Sequence, residues 1–198
     1  MLTLHFVVRI LVGADDVSVQ GARWIGKADD DPLLFFCDVD MIIKAGFLDR
    51  CISSAVRGND IYFPMVFSQY HHGKPIVGEK HGEWRHYGFG MLCAYRSDFL
   101  SFGGYDNKIT GWGEEDYNLF ERLVRKSTLN VHRAVEQGLI HKWHSKTCDP
   151  ALSEKQLRHC KRSAMAYEGS KSDLGEITVS LMETLGMSSV EELPVVHK

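Results

Sequence analysis

Three groups of residues in this chain have the types and spacing that chemistry uses. Asp38 and Asp40 stand one residue apart at the end of the apolar run Leu33-Leu34-Phe35-Phe36-Cys37. Two carboxylates this close repel each other unless a positive charge sits beside them, and a divalent cation is a common solution. The same pair also suits an ordinary turn at a strand end. Trp112-Gly113-Glu114-Glu115-Asp116 is the second group. One of its acids can take a proton from a substrate hydroxyl and another can hold a hydroxyl, with the indole stacked on a sugar ring. The same acids would also stabilise a helix N-terminus by about 0.3–1 kcal/mol each. His141 and His144 are the third, three apart. A helix or turn would bring both imidazoles to one side, where they suit a metal such as Mn²⁺, whereas a strand would oppose them. A structural or surface role for the pair stays open.

The elements that position these groups follow from pattern. The run ending in Asp38-Val39-Asp40 is too short and too continuously apolar for a helix and reads as a buried strand of the parallel type. Ligands in open α/β sheets bind beyond the carboxyl ends of such strands. Leu4 to Val12 is apolar and β-branched and reads as another strand, and Asp15 to Lys27 as a helix ending at Gly26. Asp29-Asp30-Asp31-Pro32 is a charged, solvated turn. Met41 to Val56 has helical spacing with a stop at Gly58-Asn59. Ile61 to Phe67 reads as a strand in which Pro64 marks an edge or a bulge. Ser68 to Arg85 has no period and reads as a long loop, of a kind that is usually functional or mobile.

Gly88 to Tyr95 reads as a strand followed by a turn at Arg96-Ser97-Asp98. Gly103-Gly104 is a tight turn, Tyr117 to Val124 an amphipathic helix, and Leu129 to Ala134 a short strand. Asp149 or Ser153 caps a helix over Lys155 to Ala166, a second helix runs from Lys171 through Leu185, and the tail 186–198 is frayed.

Composition narrows the functional classes. The chain has 198 residues, a formal net charge of -3, 44% hydrophobic and 25% charged residues. This is an ordinary globular balance, large enough for one domain, without the basic surplus of a nucleic-acid binder. The five cysteines show no CxxC pair and are too few for a disulfide scaffold. Cys148 and Cys160 flank a turn and a short helix and can close a loop in an oxidising compartment; otherwise all five read as small core residues. The most apolar stretch, Leu2 to Gly13, is short and interrupted by His5 and Arg9, so no membrane span or clear signal peptide is expected within this sequence.

Six motifs occur in an order that resembles one family: Phe36-Cys37-Asp38-Val39-Asp40, Tyr87-Gly88-Phe89-Gly90-Met91, Arg96-Ser97-Asp98-Phe99-Leu100, Gly103-Gly104-Tyr105-Asp106, Gly111-Trp112-Gly113-Glu114-Glu115-Asp116 and His141-x-x-His144. Together they resemble the C-terminal catalytic part of chondroitin synthases, chondroitin polymerising factor and chondroitin N-acetylgalactosaminyltransferases, relatives of β-1,4-galactosyltransferases. The resemblance spans roughly Asp31 to Gly175. It implies an α/β, glycosyltransferase-A-like mixed sheet flanked by helices, forming one catalytic domain over residues 1–185. It also implies a UDP-sugar donor, Mn²⁺ and an inverting displacement on a glycosaminoglycan acceptor. By motif, Asp40 ligates the metal, His144 is a second ligand and His141 a further candidate. Asp38 lies near the donor ribose or behind the metal's ligands. Asp116 is the base, and Glu115 holds the acceptor beside Trp112. Full-length members of such a family are expected in the Golgi lumen on a membrane anchor, with other synthase subunits as partners.

Two departures set further expectations. The family's usual Trp-Gly-Gly-Glu-Asp has Glu114 in place of its second glycine, which either narrows the loop beside the acceptor or forbids a positive φ there. Few elements precede the Asp38-Val39-Asp40 strand, so a truncated N-terminus with an incomplete nucleotide pocket is expected. These departures motivate a non-catalytic partner subunit as the alternative. A metal-dependent hydrolase or nuclease is disfavoured by the net charge and the Trp-Gly context. The basic loop with His71, His72, Lys74, Lys80, His81, Arg85 and His86 is a candidate surface for acidic glucuronate units, with a solvated loop the competing account.

Overall fold

The structure is a computed structural model that describes residues 4–8 and 31–186. Its strands are β1 (Leu4–Val8), β2 (Leu33–Cys37), β3 (Met41–Ile43), β4 (Asp60–Gln69), β5 (Gly82–Trp84), β6 (Leu92–Tyr95) and β7 (Asn130–His141). They form one mixed sheet in the order β1-β2-β6-β4-β7-β3, with β5 paired to β4. The helices are α1 (Phe47–Ser54), α2 (Arg96–Ser101), α3 (Glu115–Lys126), α4 (Glu154–Ala166) and α5 (Lys171–Leu185). The result is the mixed α/β sheet with flanking helices that the sequence implied.

All five residues of β2 are buried, because both faces of the strand are covered. Leu34 and Phe36 pack with Ile61, Phe63, Phe99, Leu119 and Leu123, the layer under α2 and α3. Leu33, Phe35 and Cys37 pack with Phe47, Cys51, Tyr62 and Leu139, the layer under α1. Each fully buried Leu or Phe contributes about 1.5–3 kcal/mol, so the strand that ends beside the candidate site is anchored by apolar burial. β2 is parallel only to β1 and antiparallel to β6, a mixed setting rather than the purely parallel one expected.

Several expectations change. Met41 to Val56 is not one helix. Met41–Ile43 pairs antiparallel with β7, from Met41↔His141 to Ile43↔Leu139, and the chain turns through Gly46 (φ 82°) before α1 begins. The helical spacing was real for the second half only, since a distant strand captured the first three residues. Pro64 sits in the sheet interior, between β6 and β7, beside a register shift between Met65 and Phe67, so it marks a bulge and not an edge. The loop expected from Ser68 gives Ser68 and Gln69 to β4 and Gly82–Trp84 to β5. Arg96 to Leu100 is helical, and the last long strand runs on to His141.

Ser153, not Asp149, caps α4, through a capping box with Gln156. Two disulfides form: Cys148–Cys160, as the spacing suggested, and Cys51–Cys93, which joins α1 to β6, while Cys37 is a buried thiol. The expected strand residues 9–12, the helix over 15–27 and the tail beyond Gly186 lie outside the described residues. Among the described residues no helix is long and apolar enough to cross a membrane.

Candidate active site

The site begins where the sheet ends. After Cys37 the chain leaves β2, exposes Val39, and re-enters the sheet as β3. Pairing of Met41 with His141 brings Asp40 against the end of β7, and the Lys142 N–H donates to the Asp40 carbonyl at 2.9 Å. Asp40 Oδ2 then lies 3.2 Å from His141 Nε2 and 2.9 Å from His144 Nε2. Neither helix nor strand spacing unites the two histidines. His141 is the last residue of β7, and the irregular segment after it returns His144 to the same carboxylate.

Burial raises the Asp40 pKa, but the hydrogen bond to His141 and the charges of both histidines outweigh it, and the carboxyl lies below its usual range. Burial pushes the His141 imidazole down; Asp40 opposes this, while Arg85, whose Nη2 is 3.4 Å from His141 Nδ1, adds to it. Asp40 Oδ1 is buried without a hydrogen-bond partner. One carboxylate with an unsatisfied buried oxygen and two imidazole nitrogens, their ligating atoms all within 4.8 Å, are a donor set that fits a divalent transition-metal ion.

Asp40, His141 and His144 line one cleft of about 1480 Å³ together with Asp38, Trp112, Glu115 and Asp116. All seven residues singled out in the sequence therefore meet in one cavity. Asp116 lies in the first turn of α3. Its Oδ2 accepts the Phe89 N–H at 3.2 Å and its Oδ1 the Tyr117 N–H at 2.7 Å. Trp112 carries Lys146 Nζ over its ring, 4.7 Å from the centroid. Lys146 also donates to Ser163 Oγ at 2.9 Å, and burial with the nearby Arg85 charge lowers its pKa to about 8.

Glu114 corrects an expectation. It adopts φ 78° as the residue preceding α3, next to Gly113 at φ 82°, so the side chain does not forbid the left-handed turn. This costs a non-glycine residue about 1–2 kcal/mol. It is offset in part by an ion pair in which Lys155 Nζ stands 2.8 Å from Glu114 Oε1.

Three features were not anticipated. Arg133 on β7 stacks over Phe89, 4.3 Å to the ring centroid, and its Nη2 donates to the carbonyls of Arg85, His86 and Gly88 at 3.3, 2.6 and 2.8 Å. Glu136, buried in β7, accepts from Arg50 Nε at 2.8 Å, Tyr62 Oη at 3.2 Å and Gly138 N–H at 2.7 Å. Gly138 is required there, since a Cβ would lie 2.8 Å from Glu136 Oε1 and 2.9 Å from Phe47 Cβ. α4 adds Lys155, His159 and Arg162 to the basic lining of the cleft. From the basic loop only Arg85 and His86 reach the cleft. His71 instead stacks on Trp143, 3.9 Å between ring centroids. The periodicity of α4 held the signal for its basic face, but only the fold shows which way it points.

A family profile described as chondroitin N-acetylgalactosaminyltransferase matches residues 21–174. Human chondroitin sulfate synthase 3 is 40% identical over 160 residues, which are 75% of this chain and 18% of that protein. Mouse chondroitin sulfate N-acetylgalactosaminyltransferase 1 is 41% identical over 170 residues, 78% of this chain and 31% of that protein. The chain thus spans about a fifth to a third of the length of the curated relatives it matches. Among solved structures, a Drosophila β-1,4-galactosyltransferase 7 mutant in complex with manganese, UDP-Gal and xylobiose aligns with TM-score 0.43 and 18% identity, covering 72% of this chain and 58% of that one.

Proposed function

The chain belongs to the chondroitin N-acetylgalactosaminyltransferase family, and from that premise we propose that it is the catalytic portion of a glycosyltransferase-A-type hexosyltransferase. It transfers a sugar, N-acetylgalactosamine, from a UDP-sugar to a glycosaminoglycan acceptor with inversion, dependent on Mn²⁺. The observation that carries this reading is the meeting of Asp40, His141 and His144 with Glu115 and Asp116 along one cleft.

Asp40, His141 and His144 would hold the cation, which supplies charge neutralisation to the departing diphosphate. Asp38 lines the same end of the site and suits the donor ribose. Asp116 accepts the proton of the acceptor hydroxyl as that oxygen bonds to the anomeric carbon and the bond to UDP breaks. Two backbone N–H donors fix its carboxylate, so no reorientation is needed as the proton arrives. Glu115 binds a hydroxyl of the acceptor, and Trp112 gives it an apolar face.

Two disulfides support an oxidising compartment, consistent with residence of the full-length protein in the Golgi lumen on a membrane anchor, alongside other synthase subunits. Glu114 was one motive for the alternative of a non-catalytic partner subunit. It takes the backbone conformation a glycine would take, so the loop geometry lends that alternative no support.

The test is transfer from UDP-N-acetylgalactosamine to a chondroitin oligosaccharide with Mn²⁺, with chelator and Asp40→Ala as controls. Turnover that needs both the cation and Asp40 supports the reading. No turnover by the folded chain under any condition, with Asp40→Ala indistinguishable from the parent, rejects it.

A further inference from the structure

The cleft carries opposite charge on two of its elements. From α4 come Lys155, His159 and Arg162, spaced so that they share one helical face. From the start of α3 come Glu114, Glu115 and Asp116. The two sets touch at Glu114, whose Oε1 is 2.8 Å from Lys155 Nζ and 3.9 Å from His159 Nδ1.

Two observations set the surroundings of this contact apart. Glu114 reaches it from φ 78°, the only positive φ at a non-glycine among the described residues. A glycine there would leave Lys155 and His159 facing the cleft without that carboxylate. The basic face is also held in position. Cys148–Cys160 ties α4 to the chain before it, and Gln156 Nε2 donates to the Thr110 carbonyl at 2.8 Å, just ahead of Trp112.

We propose that Lys155, with His159 beside it, forms a subsite for the carboxylate of a uronic acid unit in the acceptor, and that Glu114 occupies this subsite as an internal competitor. The inference rests on the glycosyltransferase reading of the cleft. The Lys155 side chain is 63% exposed and that of Glu114 30%, and Glu114 Oε1, though covered, accepts no well-aligned hydrogen bond, so the pair is weak. An incoming carboxylate can therefore take the place of Glu114, which turns to water. Glu114 lowers the affinity for acidic acceptors without abolishing it, and so tunes acceptor choice apart from the residues that hold the donor or move the proton.

Calorimetric titration of the 198-residue chain with an unsulfated chondroitin hexasaccharide at low ionic strength tests this, with neutral chitohexaose as control. Glu114→Gly and Glu114→Gln are expected to bind the hexasaccharide about two- to five-fold more tightly than the parent. The glycine variant relieves the backbone and the glutamine variant keeps its strain, so agreement between them assigns the gain to charge. Lys155→Met is expected to weaken binding and to cancel the gain when combined with Glu114→Gly, and chitohexaose is expected to respond to none of them. Equal affinity of parent and Glu114 variants, a gain that survives Lys155→Met, an equal gain for chitohexaose, or no hexasaccharide binding at all overturns the proposal. Failure of the transferase reading is seen separately, as absence of cation-dependent turnover.

Discussion

The backbone N–H of Phe89 donates to Asp116 Oδ2, and this hydrogen bond ties the first turn of α3 to the segment that leads into β6. Arg133 holds that segment from the other side, with its guanidinium over the Phe89 ring and three carbonyls on its Nη2. The proposed base is thus positioned by an arginine on a strand that does not touch it by hydrogen bond.

Arg133→Lys should separate positioning from charge. Lysine keeps the positive charge but loses the planar guanidinium that stacks over Phe89. We expect a loss of about 1–3 kcal/mol in stability. We also expect kcat to fall while the KM for the donor stays near the parent value, read by steady-state kinetics alongside thermal unfolding.

Asp116→Asn removes the proton acceptor and preserves the shape of the side chain. Transfer should drop by about 10²–10⁴-fold. Binding of the UDP-sugar, measured by calorimetry with Mn²⁺, should be retained. Equal loss of donor binding would point to a structural role for Asp116.

Asp40→Ala and His144→Ala should each weaken Mn²⁺ binding by at least about 10–100-fold, the range that even outer partners of metal ligands command. Electron paramagnetic resonance of free Mn²⁺ reads this without any turnover. Unchanged affinity in both variants would move the cation elsewhere.

Acid should destabilise the fold through Glu136. Burial raises its carboxyl pKa, but the Arg50, Gly138 and Tyr62 donors outweigh this and bring it below its ordinary 4.5. A carboxyl lowered in the folded state contributes stability above the unfolded value and loses it as pH falls through the folded one. Asp60, lowered by bonds from Asn59, His132 and Asn130, acts in the same direction. Asp98, raised by burial, acts in the opposite one. Denaturant midpoints followed from neutral pH to below about 4.5 should therefore fall, and less steeply in Glu136→Gln. Arg50→Met leaves the buried carboxylate without its cation and should cost about 1–3 kcal/mol at neutral pH.

Local patterns carried much of this architecture. The apolar run of β2 and the spacing of α3, α4 and α5 could be read directly, because their burial follows from their own residues. Long-range pairing could not. β3 was hidden in a helical pattern, since only His141 to Leu139 make Met41–Ile43 a strand. β7 runs past the Ala134 end that its pattern suggests, because Glu136, Gln137 and Gly138 are not strand-like residues, and buried Glu136 is satisfied by Arg50, distant in sequence. The order of motifs grouped in advance the residues that line the cleft. The positions of Arg133, Lys146 and the basic face of α4 were not, because nothing local dictates which cavity they enter.

β3 has only three residues, yet its register decides whether Asp40 meets the two histidines. Side chains in a strand change face at every step, so spacing there tolerates no error. Adding or deleting one residue between Cys37 and Met41 would move the carboxylate away from His141 and His144. Both apolar layers draw chiefly on neighbouring strands and helices, and of β3 only Met41 packs against one of them. Such an indel would cost the cation site more than the fold, so functional integrity at this corner depends on chain length as well as on side-chain identity.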